Sequence, residues 1–219
     1  MARIARIVIP NIPHHVTQRG NRRETVFFED NDYRAYSDLL AEAARKAGTD
    51  VWAYCLMPNH VHLILVPRHE DGLRAVLGEV HRRYTGLINS RNKWTGHLWQ
   101  GRFGSVAMDE KHLLNAVRYV SLNPVRAGLV KRASDWPWSS VNAHLSGKDD
   151  KLVKVHPVLE RCPDFAVLLE SGENEIMDMA LRKAETVGRP IGHSDWLDTM
   201  ERITGRNFRP QKRGPKPIK

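Results

Sequence analysis

Apolar positions along this chain recur at two different periods, and each change of period marks a boundary between elements. Val16-Thr17-Gln18-Arg19 reads as a first strand running into a basic turn, Gly20-Asn21-Arg22-Arg23. Asp30, Asn31 and Asp32 supply helix-start signals. Tyr33, Tyr36, Leu39, Leu40, Ala43, Ala44 and Ala47 then follow at helical spacing, and Gly48 suits the position just past the end. Apolar runs at 51–57 and 60–66 flank Pro58-Asn59, which predicts a hairpin. A second amphipathic helix is predicted through Leu73, Val76, Leu77, Val80, Tyr84, Leu87 and Ile88, with a short strand near 105–108. Strand, helix, strand, strand, helix, strand is the split βαβ order. It predicts an α+β, ferredoxin-like core: an antiparallel sheet with two helices on one face.

A third helix is predicted over 110–122, directly after the last core strand. At 100° per residue, Leu113, Ala116, Val117 and Val120 fall within about 60° of one line and face the core. Tyr119 lies roughly 120° from that line, on the side of His112, Asn115 and Asn123. Pro124 disfavours helical geometry at Asn123, so Asn123 is read as the cap of a further helix over 125–130. Trp136 and Trp138 read as packing residues, and 146–151 as a surface loop. Beyond it, 156–186 reads as helical, and a short helix runs from Ser194 to about Ile203, stopped by Gly205. The expected organisation is a catalytic domain over 1–145, a helical extension over 146–204 and a basic tail over 205–219.

Composition narrows the class. The 219 residues suffice for one substantial core, and the net charge of +9 with a pI near 9.8 favours a polyanionic partner. Cys55 and Cys162 are far apart and in no ligand spacing, which excludes a disulfide scaffold and a zinc ribbon. No run reaches the roughly 20 apolar residues of a membrane span. The opening residues are too charged for a signal peptide, so a cytoplasmic protein is expected. The tail residues Arg206, Arg209, Lys212 and Arg213 sit among prolines with no acidic residue, as in an arm that lies on DNA phosphates.

Candidate chemistry centres on His60-Val61-His62. On a strand both imidazoles point to one face, spaced by roughly 7 Å, while Val61, Leu63 and Leu65 point to the other. Two idle histidines on a half-exposed strand would look the same; Tyr119 changes the balance. An aromatic hydroxyl on a polar helix flank is held for chemistry rather than for packing. Asn123, one turn further, offers a neutral oxygen to a divalent ion, with His112 and Gln100 as substitutes. Arg19, Arg22 and Arg23 suit phosphates or a solvated turn. Trp99, Arg102 and Phe103 combine rings and charge as single-strand binders do, although the two rings would equally cover the end of the sheet. Arg126 is placed for a phosphate or a surface ion pair.

The set Met57-Pro58-Asn59-His60-Val61-His62, Gly96 to Phe103 and Arg118-Tyr119-Val120-Ser121-Leu122-Asn123-Pro124-Val125-Arg126-Ala127-Gly128 resembles the REP-associated tyrosine transposases. These are single-tyrosine, insertion-sequence-type members of the HUH nuclease superfamily. The likeness runs from about residue 3 to 145 and includes Val16 to Arg23 and Trp138-Ser139-Ser140. It implies that His60, His62 and Asn123 bind a divalent metal, magnesium or manganese, and that Tyr119 is the nucleophile. It also implies a monomer acting on single-stranded DNA beside REP-like palindromic hairpins through a covalent 5′-phosphotyrosine, with no protein partner required. A hydrolytic metal nuclease and a catalytically inactive nucleic-acid-binding regulator are the rival expectations.

Overall fold

The computed structural model of the protein describes residues 6–172 and 174–209. Its centre is a four-stranded antiparallel sheet in the order β2-β3-β1-β4, formed by β1 (His14–Arg19), β2 (Thr49–Met57), β3 (His60–Pro67) and β4 (Gly104–Ala107). This is the α+β, split βαβ arrangement expected of the element order. Helices α1 (Asp30–Lys46) and α2 (Gly72–Asn92) cover one face. Val16, Val61, Leu63 and Leu65 meet Tyr36, Leu40, Leu73, Leu77 and Ile88 there, all fully buried. Each aliphatic side chain among them contributes about 2 kcal/mol of transfer free energy.

The period of two sends the alternate residues to the opposite face. There Ala53, Cys55, Met57 and Ile64 pack under α3 (Glu110–Arg126), through the predicted stripe of Leu113, Ala116, Val117 and Val120. The β2 edge is covered by the segment after α3: Leu56 N–H donates to Trp138 C=O (2.8 Å), and Trp136 Nε1 donates to Leu56 C=O (3.1 Å). Trp138 stacks on Tyr33 at 4.7 Å, so both tryptophans pack as expected.

Three expectations are corrected. Helix α3 does not stop before Pro124 but runs through it to Arg126, and Asn123 is helical rather than a cap. Proline in the last turn forfeits a single ladder bond, and no separate helix follows over 125–130. The stretch 156–186 is not one helix: it divides into α5 (His156–Leu159), α6 (Phe165–Glu170) and α7 (Glu175–Val187), with α4 (Val141–Ser146) preceding them. Asp164 and Asn174 cap the later two through side-chain bonds to backbone N–H groups, which restarts the helix each time. Finally α8 (Ser194–Thr204) ends at Gly205 as predicted, but the first part of the tail is docked, with Phe208 buried against Ile7, Ile9 and Met200.

Candidate active site

The β2–β3 turn and β1 set the histidines. His60 and His62 lie on the α3 side of β3, paired in register with Arg19 and Thr17 of β1. His60 Nδ1 lies 2.6 Å from Asn59 Oδ1, and Asn59 Nδ2 donates to Arg23 C=O at 2.9 Å. Asn59 thus presents its oxygen to the ring, so His60 holds its proton on Nδ1 and keeps a lone pair on Nε2. His62 Nδ1 lies 2.9 Å from Nε2 of the fully buried His15, whose Nδ1 is 3.2 Å from Glu185 Oε1. With the His62 proton on Nδ1, shared with His15, His62 Nε2 is the ring's acceptor and takes the Asn123 Nδ2–H at 3.2 Å. His15 Nδ1 and Glu185 Oε1 approach at ion-pair distance without hydrogen-bond geometry. Burial, with the charge of Arg19, pushes the His60 pKa down to about 4 and the His62 pKa well below its ordinary value. Both rings are therefore neutral at pH 7.

Helix α3 brings Tyr119 and Asn123 to the same place, one turn apart. The Tyr119 ring stands edge-on to His62 (centroids 5.8 Å) and to His15 (6.2 Å). The guanidiniums of Arg126 and Arg182 lie 4.9 and 5.6 Å from its centroid. Tyr119 is only 9% exposed although it sits off the apolar stripe, because α7 covers that flank. The buried Asp178 of α7 fastens the two helices: it accepts from Arg126 Nη1 (2.5 Å) and Asn115 Nδ2 (3.1 Å) and faces Arg118 Nη2 (3.8 Å).

Residues 9–123 match the family model described as "Transposase IS200 like". The chain belongs to this family. The IS200-like transposases are enzymes, and within them this one resembles the REP-associated type. A REP-associated tyrosine transposase of Escherichia coli (strain K12) is 26% identical over 121 residues, 55% of this chain and 70% of its own. A second relative, from Haemophilus influenzae, is 30% identical over 99 residues, 40% of this chain and 56% of its own. The solved structure of a REP-associated tyrosine transposase bound to a REP hairpin aligns with a TM-score of 0.59. It is 24% identical, covering 71% of this chain and 93% of that one, a likeness of fold.

The residues of this IS200-like transposase fit a divalent metal. His60 and His62 are neutral, and Asn123 Nδ2 donates to His62 Nε2 at 3.2 Å, so two of the groups that would hold the ion are in contact, with the amide needing to turn its oxygen inward to serve as a ligand. His15, His62 and Glu185 also bring donor atoms within 4.8 Å of one another. His15 bonds His62 directly at 2.9 Å, so within this set it orients the His62 ring. Of the substitutes for Asn123, His112 is held by Asp109 (2.6 Å), which also binds His193, and the exposed Gln100 pairs its backbone N–H with the C=O of Arg19, the register partner of His60.

The DNA-contact expectations divide. Arg19 lies beside His60, and Arg22 and Arg23 are exposed on the adjoining loop. Arg126 reaches the site but is paired with Asp178. Arg102 is exposed, while Phe103 is half-buried under the Arg6 guanidinium, 3.5 Å from its ring centroid. Trp99 is a correction: it is buried, stacked on His81 at 4.5 Å and packed on Phe27, Tyr36 and Tyr84, out of reach of any base. Arg206 Nη1 donates to Arg6 C=O (2.9 Å) and Arg209 pairs with Asp198 (2.6 Å), so both serve the docked tail; Lys212 and Arg213 lie outside the described residues. Sequence reasoning misses His15, Asp178, Arg182 and Glu185. His15 carries a usable signal, since with Thr17 and Arg19 it shares a face of β1; the α7 residues carry none.

Proposed function

We propose that this transposase cleaves and rejoins single-stranded DNA next to palindromic hairpins through a covalent tyrosine intermediate, using magnesium or manganese. The observation that carries this reading is the position of Tyr119, edge-on to His62 and one helical turn from Asn123. Phosphodiesters resist attack because their charge repels nucleophiles. A divalent ion held by His60, His62 and Asn123 would supply Lewis-acid polarisation of a phosphate oxygen. The chain's own groups do the rest. Arg19, at the end of β1 beside His60, and Arg182, against the Tyr119 ring, offer positive charge to the phosphate. Tyr119 Oη attacks phosphorus and releases its proton to solvent, the P–O3′ bond breaks, and the departing 3′ oxygen takes up a proton from solvent. The tyrosine keeps the 5′ phosphate. Because bond number is conserved, the reverse attack by a 3′ hydroxyl rejoins strands without ATP.

The REP hairpin bound by the structural relative supports a hairpin as substrate. Incubating the protein with manganese and labelled hairpin DNA is expected to give a denaturant-stable adduct that is absent with Tyr119→Phe and absent in chelator. Adduct with Tyr119→Phe would displace the nucleophile. Turnover without any adduct would favour hydrolysis, and hairpin affinity without cleavage would favour a regulator.

A further inference from the structure

Trp99 is sealed in the core, yet the same glycine-bounded connection exposes a different ring. Trp94 is 50% and Phe28 44% exposed, and they stand edge-to-face at 5.7 Å, with the Arg91 guanidinium 6.0 Å over Phe28. The pair is built rather than accidental. Lys93 takes a left-handed conformation (φ 55°) at the end of α2 and turns Trp94 outward. Trp94 N–H bonds Asn89 C=O (2.9 Å), and Asn89 Nδ2 donates to Gly96 C=O (3.0 Å), which fixes the loop. The rings line a groove of about 560 Å³ together with Asn21, Arg22, Glu24, Thr25 and His97. Arg22 and Arg23 are held at positive φ (54° and 65°), a conformation that costs energy outside glycine and concentrates at functional sites. Arg23, between the lining residues Arg22 and Glu24, accepts through its C=O from Asn59, which holds His60.

Exposed aromatic rings beside Arg22 and Lys93, with Arg91 already paired to Asp32 and Glu29, on a chain of net charge +9, match one ligand chemistry: stacked bases with a phosphate backbone. We infer that Trp94 and Phe28 form a base-stacking platform for the single-stranded DNA that flanks the hairpin, with Arg22 and Lys93 along its phosphates. The inference rests on single-stranded DNA being the substrate, but its test is independent of cleavage.

Binding of a short oligothymidylate is measured by anisotropy and by tryptophan fluorescence, and adduct formation on hairpin DNA is followed in parallel. Trp94→Ala and Phe28→Ala are expected to bind the oligonucleotide about ten-fold more weakly. Trp94→Phe keeps a ring, so it retains most of the affinity but loses the quenching that the wild type shows. Both rings are surface-exposed, so circular dichroism melts should match the wild type. Alanine variants that bind like the wild type, a wild type that ignores the oligonucleotide, or quenching unchanged in Trp94→Phe would each overturn the platform. If no protein forms the adduct yet the alanine variants lose oligonucleotide binding, the platform stands and the tyrosine chemistry falls.

Discussion

At the residue scale, what a histidine offers depends on where its second nitrogen is engaged. Asn59 takes Nδ1 of His60 and His15 takes Nδ1 of His62, so Nε2 is the remaining acceptor on each of two rings whose centroids are 4.9 Å apart. His15→Ala should therefore weaken manganese binding about ten-fold or more, read by isothermal titration, with partial recovery in His15→Gln. His14, its neighbour on the other face, has a different role. Its Nε2 accepts from Ile9 N–H (3.1 Å) and its Nδ1 donates to Ile12 C=O (2.7 Å), so the neutral ring is saturated and a second proton would break a bond. Burial pushes its pKa from 6.5 down to about 4. Between those values the unfolded chain binds the proton and the folded one does not. Stability is then full above about pH 6.5 and falls as the pH drops, by about 3 kcal/mol at pH 4 from this ring. Urea midpoints should fall from pH 7 to 4 at least this steeply, because His60 and His62 are shifted the same way, and His14→Gln should remove about this ring's share of the fall.

At the element scale, α3 and α7 form a clamp whose pin is Asp178. It is 1% exposed and holds Arg126 and Asn115 beside the nearly buried Arg118. Asp178→Ala strands buried guanidinium charge and should cost about 3 kcal/mol in chemical denaturation. α7 should also become the first site of limited proteolysis, since apolar packing alone then holds it to α3. The elements differ in how readable they are from sequence. The hairpin, α1, α2 and the stripe of α3 follow from periodicity, because each buries one face of a regular element. Helix α3 running through Pro124 does not, since packing of the last turn overrides the local preference at Asn123. Nor does the fate of the rings: Trp99 and Trp94 sit five residues apart in similar company, and only the end of α2 decides which turns inward. Periodicity places Tyr119 on a polar flank, but its surroundings become histidines and arginines only through α7, a helix distant in sequence.

At the scale of the whole molecule, the sheet divides its labour. One face is a closed core of aliphatic and aromatic side chains under α1 and α2; the other carries His15, His60, His62, Tyr119 and the arginines beside it. The C-terminal segment returns across this second face, and its end is anchored where Phe208 meets Ile7, Ile9 and Met200. That anchor separates two roles which the tail's composition merges. Residues 210–219 carry Lys212, Arg213, Lys216 and Lys219 and no acidic residue, whereas Phe208 and Arg209 secure the fold. Truncation after Arg209 should leave the melting temperature unchanged. It should lower the slope of log affinity against log salt on single-stranded DNA by about 0.7 for each phosphate no longer neutralised, ~3 if all four cations bind. Truncation after Asn207 removes the buried ring as well and should cost about 3 kcal/mol in stability. An unaltered salt slope in the chain ending at Arg209 would assign DNA binding to residues before 210, where Arg19 is the register partner of His60 and Arg22 and Arg23 are exposed on the adjoining loop.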